Sequence, residues 1–162
     1  MSENFAETAV DNPASVSKDR LRLWLRLLDV SRAIEGPVRE NLRAKFETTL
    51  PRFDVFAALE RHPNGLKMSE LSSILRVSNG NITGLIDRLV NDGYAERRAV
   101  PGDRRASKVG LTHAGKTQFS YLADAHEKWV NETLSGFSSD EVKNLTQRLK
   151  TLQDQLVKPK LI

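Results

Sequence analysis

Between two short segments of helical apolar spacing the chain spends only three residues, Arg76-Val77-Ser78, and that constrains the fold more than any other feature. Leu71, Ile74 and Leu75 fall on one side of a segment from about Met68 to Leu75. Ile82, Leu85, Ile86, Leu89 and Val90 do the same from about Asn79 to Asp92. Two helices joined by so short a connection must meet at a steep angle, which is helix-turn-helix geometry.

Gly93 closes the second helix, and two β-prone runs come next, Tyr94 to Val100 and Ser107 to Leu111, with Val109 and Leu111 alternating against Lys108 and Gly110. Pro101-Gly102 lies between them, so the runs form a hairpin. A helix-turn-helix followed by a hairpin predicts a winged helix. The stretch RRAVPGDRRASKVGLT brings five cations to this hairpin, Arg97, Arg98, Arg104, Arg105 and Lys108, with Asp103 alone to offset them.

The flanks are helical. Met1 to Val16 carries Glu3, Glu7 and Asp11, no cation, and Pro13 outside any periodicity, and is expected to be a disordered acidic tail. From about Ser17 a long helix is predicted through Leu21, Trp24, Leu27, Leu28, Ile34, Val38, Leu42 and Phe46. Gly36-Pro37 should bend it rather than end it, because the spacing resumes beyond. Thr48, Thr49 and Pro51 signal a second helix containing Phe53, Phe56, Ala57 and Leu59, which ends near His62-Pro63 and gives way to a Pro-Asn-Gly loop. Thr112 should cap another long helix, with Phe119, Leu122, Ala123, His126, Trp129, Val130 and Leu134 on its apolar side, ending near Gly136. The last helix opens with a capping box, Ser138 to Glu141, and a staple between Phe137 and Val142. Val142, Leu145, Leu149, Leu152 and Leu156 then alternate at three and four residues, a narrow coiled-coil-like seam that wants a partner helix. The expected architecture is mainly α: a winged helix-turn-helix at 48–111, a helical dimerisation region at 17–47 and 112–158, and a tail at 1–16.

Composition adds limits. A net charge of +4 on 162 residues, 28% of them charged, selects neither a nucleic acid nor an acidic partner by itself. The absence of cysteine excludes disulfides and thiolate metal sites and suits a cytoplasmic protein. No apolar run reaches membrane-spanning length, and the beginning of the chain lacks the pattern of a signal peptide, so no membrane association is expected. His62, His113 and His126 are far apart and match no metal-binding or nucleophile–base spacing. No catalytic residue, metal or cofactor is therefore expected; His113 should be an exposed first-turn residue and His126 an interface residue.

The chemistry concentrates in the second helix of the pair and in the hairpin. With its apolar side committed, that helix presents Asn79, Asn81, Thr83, Gly84, Asp87 and Arg88, and short amides, a hydroxyl and a guanidinium suit base edges and phosphates. Ser78 should cap it, leaving free backbone amides for a phosphate. Arg104 and Arg105 at the hairpin tip suit the negative potential of a narrow minor groove, with Ser107 and Lys108 beside them and Asp103 orienting an arginine. A winged helix can instead bind a protein or coat DNA without preference. The amides and hydroxyls favour sequence-specific double-stranded DNA.

The pattern Asp103-x-Arg105-x-x-x-Val109-x-Leu111-Thr112-x-x-Gly115, with Ser69-Glu70-Leu71, Val77-Ser78, Thr83, Asp87-Arg88-Leu89 and Gly93, resembles the MarR-type winged-helix transcriptional regulators from about Leu21 to Leu156. The resemblance implies a homodimer held by the first and last two helices, with reader helices in successive major grooves of a palindromic operator and wings in the minor groove. The stretches LRLWLRLL, TTLPRFDVFAALERHPNGLKMSELS and VSNGNITGLIDRLV look like the branch tied to aromatic-acid catabolism, which includes repressors released by hydroxycinnamoyl-CoA thioesters. That similarity implies a small-molecule effector, an aromatic acid or its CoA thioester, held near Trp24, Leu28, Arg32, Phe46, Phe53 and Phe56. Arg20, Arg22, Arg26, Arg43, Lys45 and Arg52 are the further cations at hand for its charge.

Overall fold

A computed structural model describes the backbone of residues 13–100 and 103–157, with side chains throughout except at 13–14, 100, 103–106 and 157. The first helix, α1 (Pro13–Phe46), runs 34 residues and continues through Pro37. It starts before the expected Ser17, so residues 13–16 of the anticipated tail are helical. Proline suits a first helical turn, where its missing N–H would have no partner anyway. The remainder of the tail lies outside the described residues. Glu47 takes a left-handed φ of 49° and turns the chain sharply at the end of α1.

Local capping explains where the next helices start. Thr49 accepts a hydrogen bond from the Arg52 amide ahead of α2 (Leu50–Glu60), and Glu70 accepts one from the Lys67 amide ahead of α3 (Met68–Leu75). Ser78 accepts from the Asn81 amide ahead of α4 (Asn79–Asn91). The turn between α3 and α4 closes through Arg76 in the left-handed region at φ 54°, with the Val77 amide reaching the Ser72 carbonyl at 3.2 Å. Gly93, at φ 77°, ends α4 the same way, with the Tyr94 amide on the Leu89 carbonyl.

Three strands make an antiparallel sheet in the order β1 (Leu66–Lys67), β3 (Asp103–Leu111), β2 (Ala95–Val100). The strand β1 falls where the sequence suggests only a loop, since two residues carry no periodicity. It forms because Gly65, at φ 74°, passes so close to β3 that a side chain there would meet the Val109 carbonyl at 2.8 Å. The third strand begins four residues before the expected Ser107, with a register shift between Ala99 and Val100.

Thr112 caps α5 (His113–Thr133), accepting from the Gly115 amide at 3.0 Å while its hydroxyl donates to the Gly93 carbonyl at 2.7 Å. Gly115 lies flat on the Tyr94 carbonyl, where any side chain would overlap it. The predicted capping box opens α6 (Ser139–Val157): Glu141 accepts from both the Ser138 amide and hydroxyl, which lowers its pKa.

The core joins Val38 and Leu42 of α1 to Phe53, Val55, Phe56 and Leu59 of α2, Leu71 of α3, four apolar residues of α4, Val109 and Leu111 of β3, and Leu122 and Trp129 of α5. The winged helix-turn-helix thus rests on α5 and on the last third of α1. The upstream part of α1 and all of α6 project beyond it with their apolar side chains uncovered.

Candidate nucleic-acid interface

Ile82, Leu85, Ile86 and Leu89 lock one side of α4 into the core, and this fixes what the other side presents. Ser78, Asn79, Gly80, Asn81, Thr83, Asp87 and Arg88 are exposed. Thr83 donates its hydroxyl to the Asn79 carbonyl at 2.9 Å, which restrains its rotamer and leaves the hydroxyl oxygen free to accept. Gly80, which has no side chain to mark it in the sequence, belongs to this surface. A side chain at Gly80 or Gly84 would meet nothing within 4 Å in the protomer, so neither glycine is required by internal packing.

The hairpin cations divide. Arg97 pairs with Asp87 of α4 at 2.5 Å. Arg98 pairs with Glu96 at 2.8 Å, donates to the carbonyls of Leu111 and Pro63 at 3.4 Å, and lays its guanidinium over Gly110. One of the five cations, Arg97, therefore braces the wing against α4, and a second, Arg98, ties it to the loop after α2. Asp87, exposed on α4 as expected, is the other half of the brace to Arg97. Register separates two further residues: Ser107 lies opposite Ala99 on the side of Val109, whereas Lys108 lies between Lys67 and Arg98 on the opposite side of the sheet. Asp103, Arg104 and Arg105 have backbone within β3, and their side chains lie outside the described residues.

Along α6 the seam residues Val142, Leu145, Leu149, Leu152 and Leu156 are between 39% and 77% exposed, and in α1 Leu21, Leu23, Trp24, Leu25 and Val30 are about half exposed. Exposed apolar residues gathered on a helix in this way are ordinarily covered by a partner.

The residues expected around an effector do not form one cavity in the protomer. Trp24 and Phe46 are 22 positions apart on one helix, roughly 33 Å at the α-helical rise. Trp24, Leu28 and Arg32 belong to the projecting part of α1. Phe53 is core, stacked on His126 with centroids 4.6 Å apart and tilted against Phe119. Phe46 and Phe56 do line one polar cleft, with Thr48, Arg52, Asp92, Tyr94 and Gln118. There Arg52 binds Asp92 at 2.6 Å, while its Nε and the Thr48 hydroxyl are buried with no hydrogen-bond partner among the described residues. On the far side of α2, burial raises the pKa of Asp54. Glu35 adds to the rise, and His126 and Arg39 oppose it. His113 is exposed in the first turn of α5, as expected. Among the described residues no cluster of His, Asp and Glu could hold a metal ion, and no helix is long and apolar enough to cross a membrane.

Residues 47–106 match the model of the MarR family. The crystal structure of a MarR family transcriptional regulator from Silicibacter pomeroyi superposes with a TM-score of 0.72 at 30% identity, covering 86% of this chain and 96% of that one. The HTH-type transcriptional regulator YkoM of Bacillus subtilis is 32% identical over 120 residues, 72% of this chain and 73% of its own. A mutant MarR from E. coli, in a crystal structure with operator DNA, gives a TM-score of 0.72 at 25% identity, over 83% of this chain and 95% of that one.

Proposed function

The chain belongs to the MarR family of transcriptional regulators, and on that basis we propose that it is a homodimeric repressor that reads a palindromic double-stranded operator and releases it when an aromatic ligand binds. Members of this family regulate transcription and are not enzymes.

The observation that carries the proposal is the outward face of α4. Asn79 and Thr83 lie on one flank of the uncovered side of α4 and Asn81 and Arg88 on the other, with Gly80 and Gly84 leaving the backbone open between them, and the opposite side is immobilised in the core. Such a face suits base edges in a major groove, with Ser78 and the first-turn amides on a phosphate and Arg88 further along the helix. The operator complex of the related E. coli protein supports carrying this reading over. In the wing, Arg104 and Arg105 enter the minor groove, Asp103 orients them, and Ser107 and Lys108 meet the backbone. Residues 48–111 are then the DNA-binding region, with 17–47 and 112–158 the dimerisation region. Val142, Leu145, Leu149, Leu152 and Leu156 form the seam, and the setting is the cytoplasm.

The effector in this reading is an aromatic acid or its CoA thioester. Within one protomer a ligand touching both Trp24 and Phe46 would have to span roughly 33 Å along α1. Release requires the ligand to prefer a dimer whose reader helices are wrongly spaced, because tight binding alone shifts nothing.

An electrophoretic shift with the upstream region of its own gene against scrambled duplex, at fixed salt, tests the reading. Preference for the upstream region is expected. Equal binding would mean DNA coating, and no binding would point to a protein partner. Adding p-coumarate, p-coumaroyl-CoA, benzoyl-CoA and acetyl-CoA to the shifted complex tests the effector: release by the aromatic thioesters alone is expected, and release by free phenolic acids alone would reject the thioester.

A further inference from the structure

The chain contains two Asn-Gly dipeptides, Asn64-Gly65 and Asn79-Gly80, and they differ in how their glycine amides are held. An asparagine followed by glycine carries its own reactive pair. The glycine amide nitrogen can attack the side-chain carbonyl carbon, and with no β-carbon beside it nothing hinders the approach. Both asparagines are exposed to water. The Gly65 amide is engaged, donating to the His62 carbonyl at 2.8 Å, and Gly65 is packed against the Val109 carbonyl of β3. The Gly80 amide has no hydrogen-bond partner among the described residues, because it lies in the first turn of α4, where no preceding carbonyl is within reach.

Space and local stability separate the two further. Nothing lies within 4 Å of where a Gly80 side chain would stand, so this piece of backbone can move without a clash. The start of α4 is lightly tied. The Ser78 hydroxyl accepts from the Asn81 amide at 3.4 Å, long for such a bond, and the Ser78 carbonyl takes the Ile82 amide at 3.1 Å. Asn79 is the first helical residue, and helix ends fray, so it can leave the helix while the buried side of α4 stays in place. That excursion frees its side chain to meet the Gly80 nitrogen.

We propose that Asn79-Gly80 is a self-modification site, at which hydrolysis of the Asn79 side-chain amide ends the protein's hold on operator DNA. The Gly80 nitrogen bonds to Cγ of Asn79, the Cγ–Nδ2 bond breaks, and ammonia leaves with the Gly80 amide proton. Water then opens the cyclic imide at one carbonyl to give aspartate, or at the other to give isoaspartate, in which the backbone runs through Cγ. No co-reactant other than water is needed. The fold accepts the new charge, since a carboxylate at a helix start meets the positive end of the macrodipole. On DNA the same carboxylate faces phosphates of its own sign. This consequence rests on the operator-binding reading; the hydrolysis does not. Seated in a groove, α4 cannot open its first turn, so bound protein is protected while free protein ages.

The test incubates the full chain in mildly alkaline buffer, with and without operator duplex, and samples peptide masses, isoaspartate content and operator binding over time. Conversion at Asn79 should outpace that at Asn64 by about tenfold, with Asn81, Asn91, Asn131 and Asn144, each followed by a bulkier residue, slower than either. Operator duplex should slow Asn79 several-fold and leave Asn64 unchanged. The fraction of protein able to bind operator should fall in step with the converted fraction. Asn79→Asp should bind operator at least about tenfold more weakly than the parent while melting no lower. Gly80→Ala, whose methyl group hinders the attack and meets no neighbour, should keep its own starting affinity through the same incubation, whatever that affinity is. Conversion at Asn64 ahead of Asn79 overturns the site, and so does a converted protein that binds operator as tightly as fresh protein. If the parent binds no operator at all, the regulatory reading fails while the peptide masses still judge Asn79-Gly80.

Discussion

The helix α4, proposed as the reader, and the terminal helix α6 are both amphipathic, yet only one has its apolar side covered. Ile82, Leu85, Ile86 and Leu89 of α4 are buried within the protomer, whereas every seam residue of α6 is exposed along a helix of 19 residues. Periodicity tells which side of a helix is apolar and is silent on whether the covering surface comes from the same chain. What distinguishes the two is the connection. Three residues tie α4 to α3, while α6 comes after a helix that ends in open solvent, so nothing local folds back onto it.

The most forceful way to break this contrast is to charge or hollow each side in turn. Leu149→Lys should cost several kcal/mol at a dry interface between chains, dissociating dimers in sedimentation and abolishing tight operator binding while the protomer keeps its helical spectrum. Ile86→Ala should instead cost about 2–5 kcal/mol of protomer stability, read as a lowered melting temperature at any protein concentration. A Leu149→Lys protein that stays dimeric would show that the seam is surface.

A smaller effect sharpens the description of α4 by its other side. Asn81→Ala should remove about 1–3 kcal/mol of discrimination between operator and random duplex with no change in melting temperature. Arg105→Ala in the wing should lose a similar amount of operator affinity if the side chain enters a minor groove. Equal losses on operator and random duplex in Asn81→Ala would mean that α4 anchors without reading.

The brace between α4 and the wing predicts a still smaller change in stability. Asp87 and Arg97 are both substantially exposed, so Asp87→Ala should cost at most about 1 kcal/mol of folding stability. Its larger signature should be weaker operator binding, from a wing no longer held to the helix. The smallest effect belongs to Asp54. Its pKa is higher in the folded than in the unfolded chain, so folding favours the protonated form; that contribution is present below the unfolded value of 3.8 and is lost as pH rises through the folded one. Asp54→Asn should therefore melt slightly higher than the parent at pH 7, with the difference vanishing near pH 3.

What was legible in the sequence was whatever depends on neighbours three or four residues apart. The caps at Thr49, Ser78 and Thr112, the Ser138–Glu141 box and the turn at Arg76-Val77-Ser78 all form from local hydrogen bonds, and all occur at the predicted positions. Two features that depend on distant partners were not. The strand β1 exists only because Gly65 can approach Val109, and Arg97 and Arg98 are braces only because Asp87 and the carbonyls of Pro63 and Leu111 come within reach. Charge clustered in sequence was therefore partly spent on holding the wing in place. Likewise, Trp24 and Phe46 shared an apolar pattern, but a continuous helix holds them apart.

The contact of Gly115 with the Tyr94 carbonyl, and of the Thr112 hydroxyl with the Gly93 carbonyl, has a mechanical meaning. The start of α5 is fastened directly to the point where α4 ends and β2 begins, with no compliant linker between. The helix α5, about 30 Å long, then works as a rigid handle on α4. A tilt of about 5° at one end of such a handle displaces the other by roughly 3 Å, close to the spacing of one base-pair step.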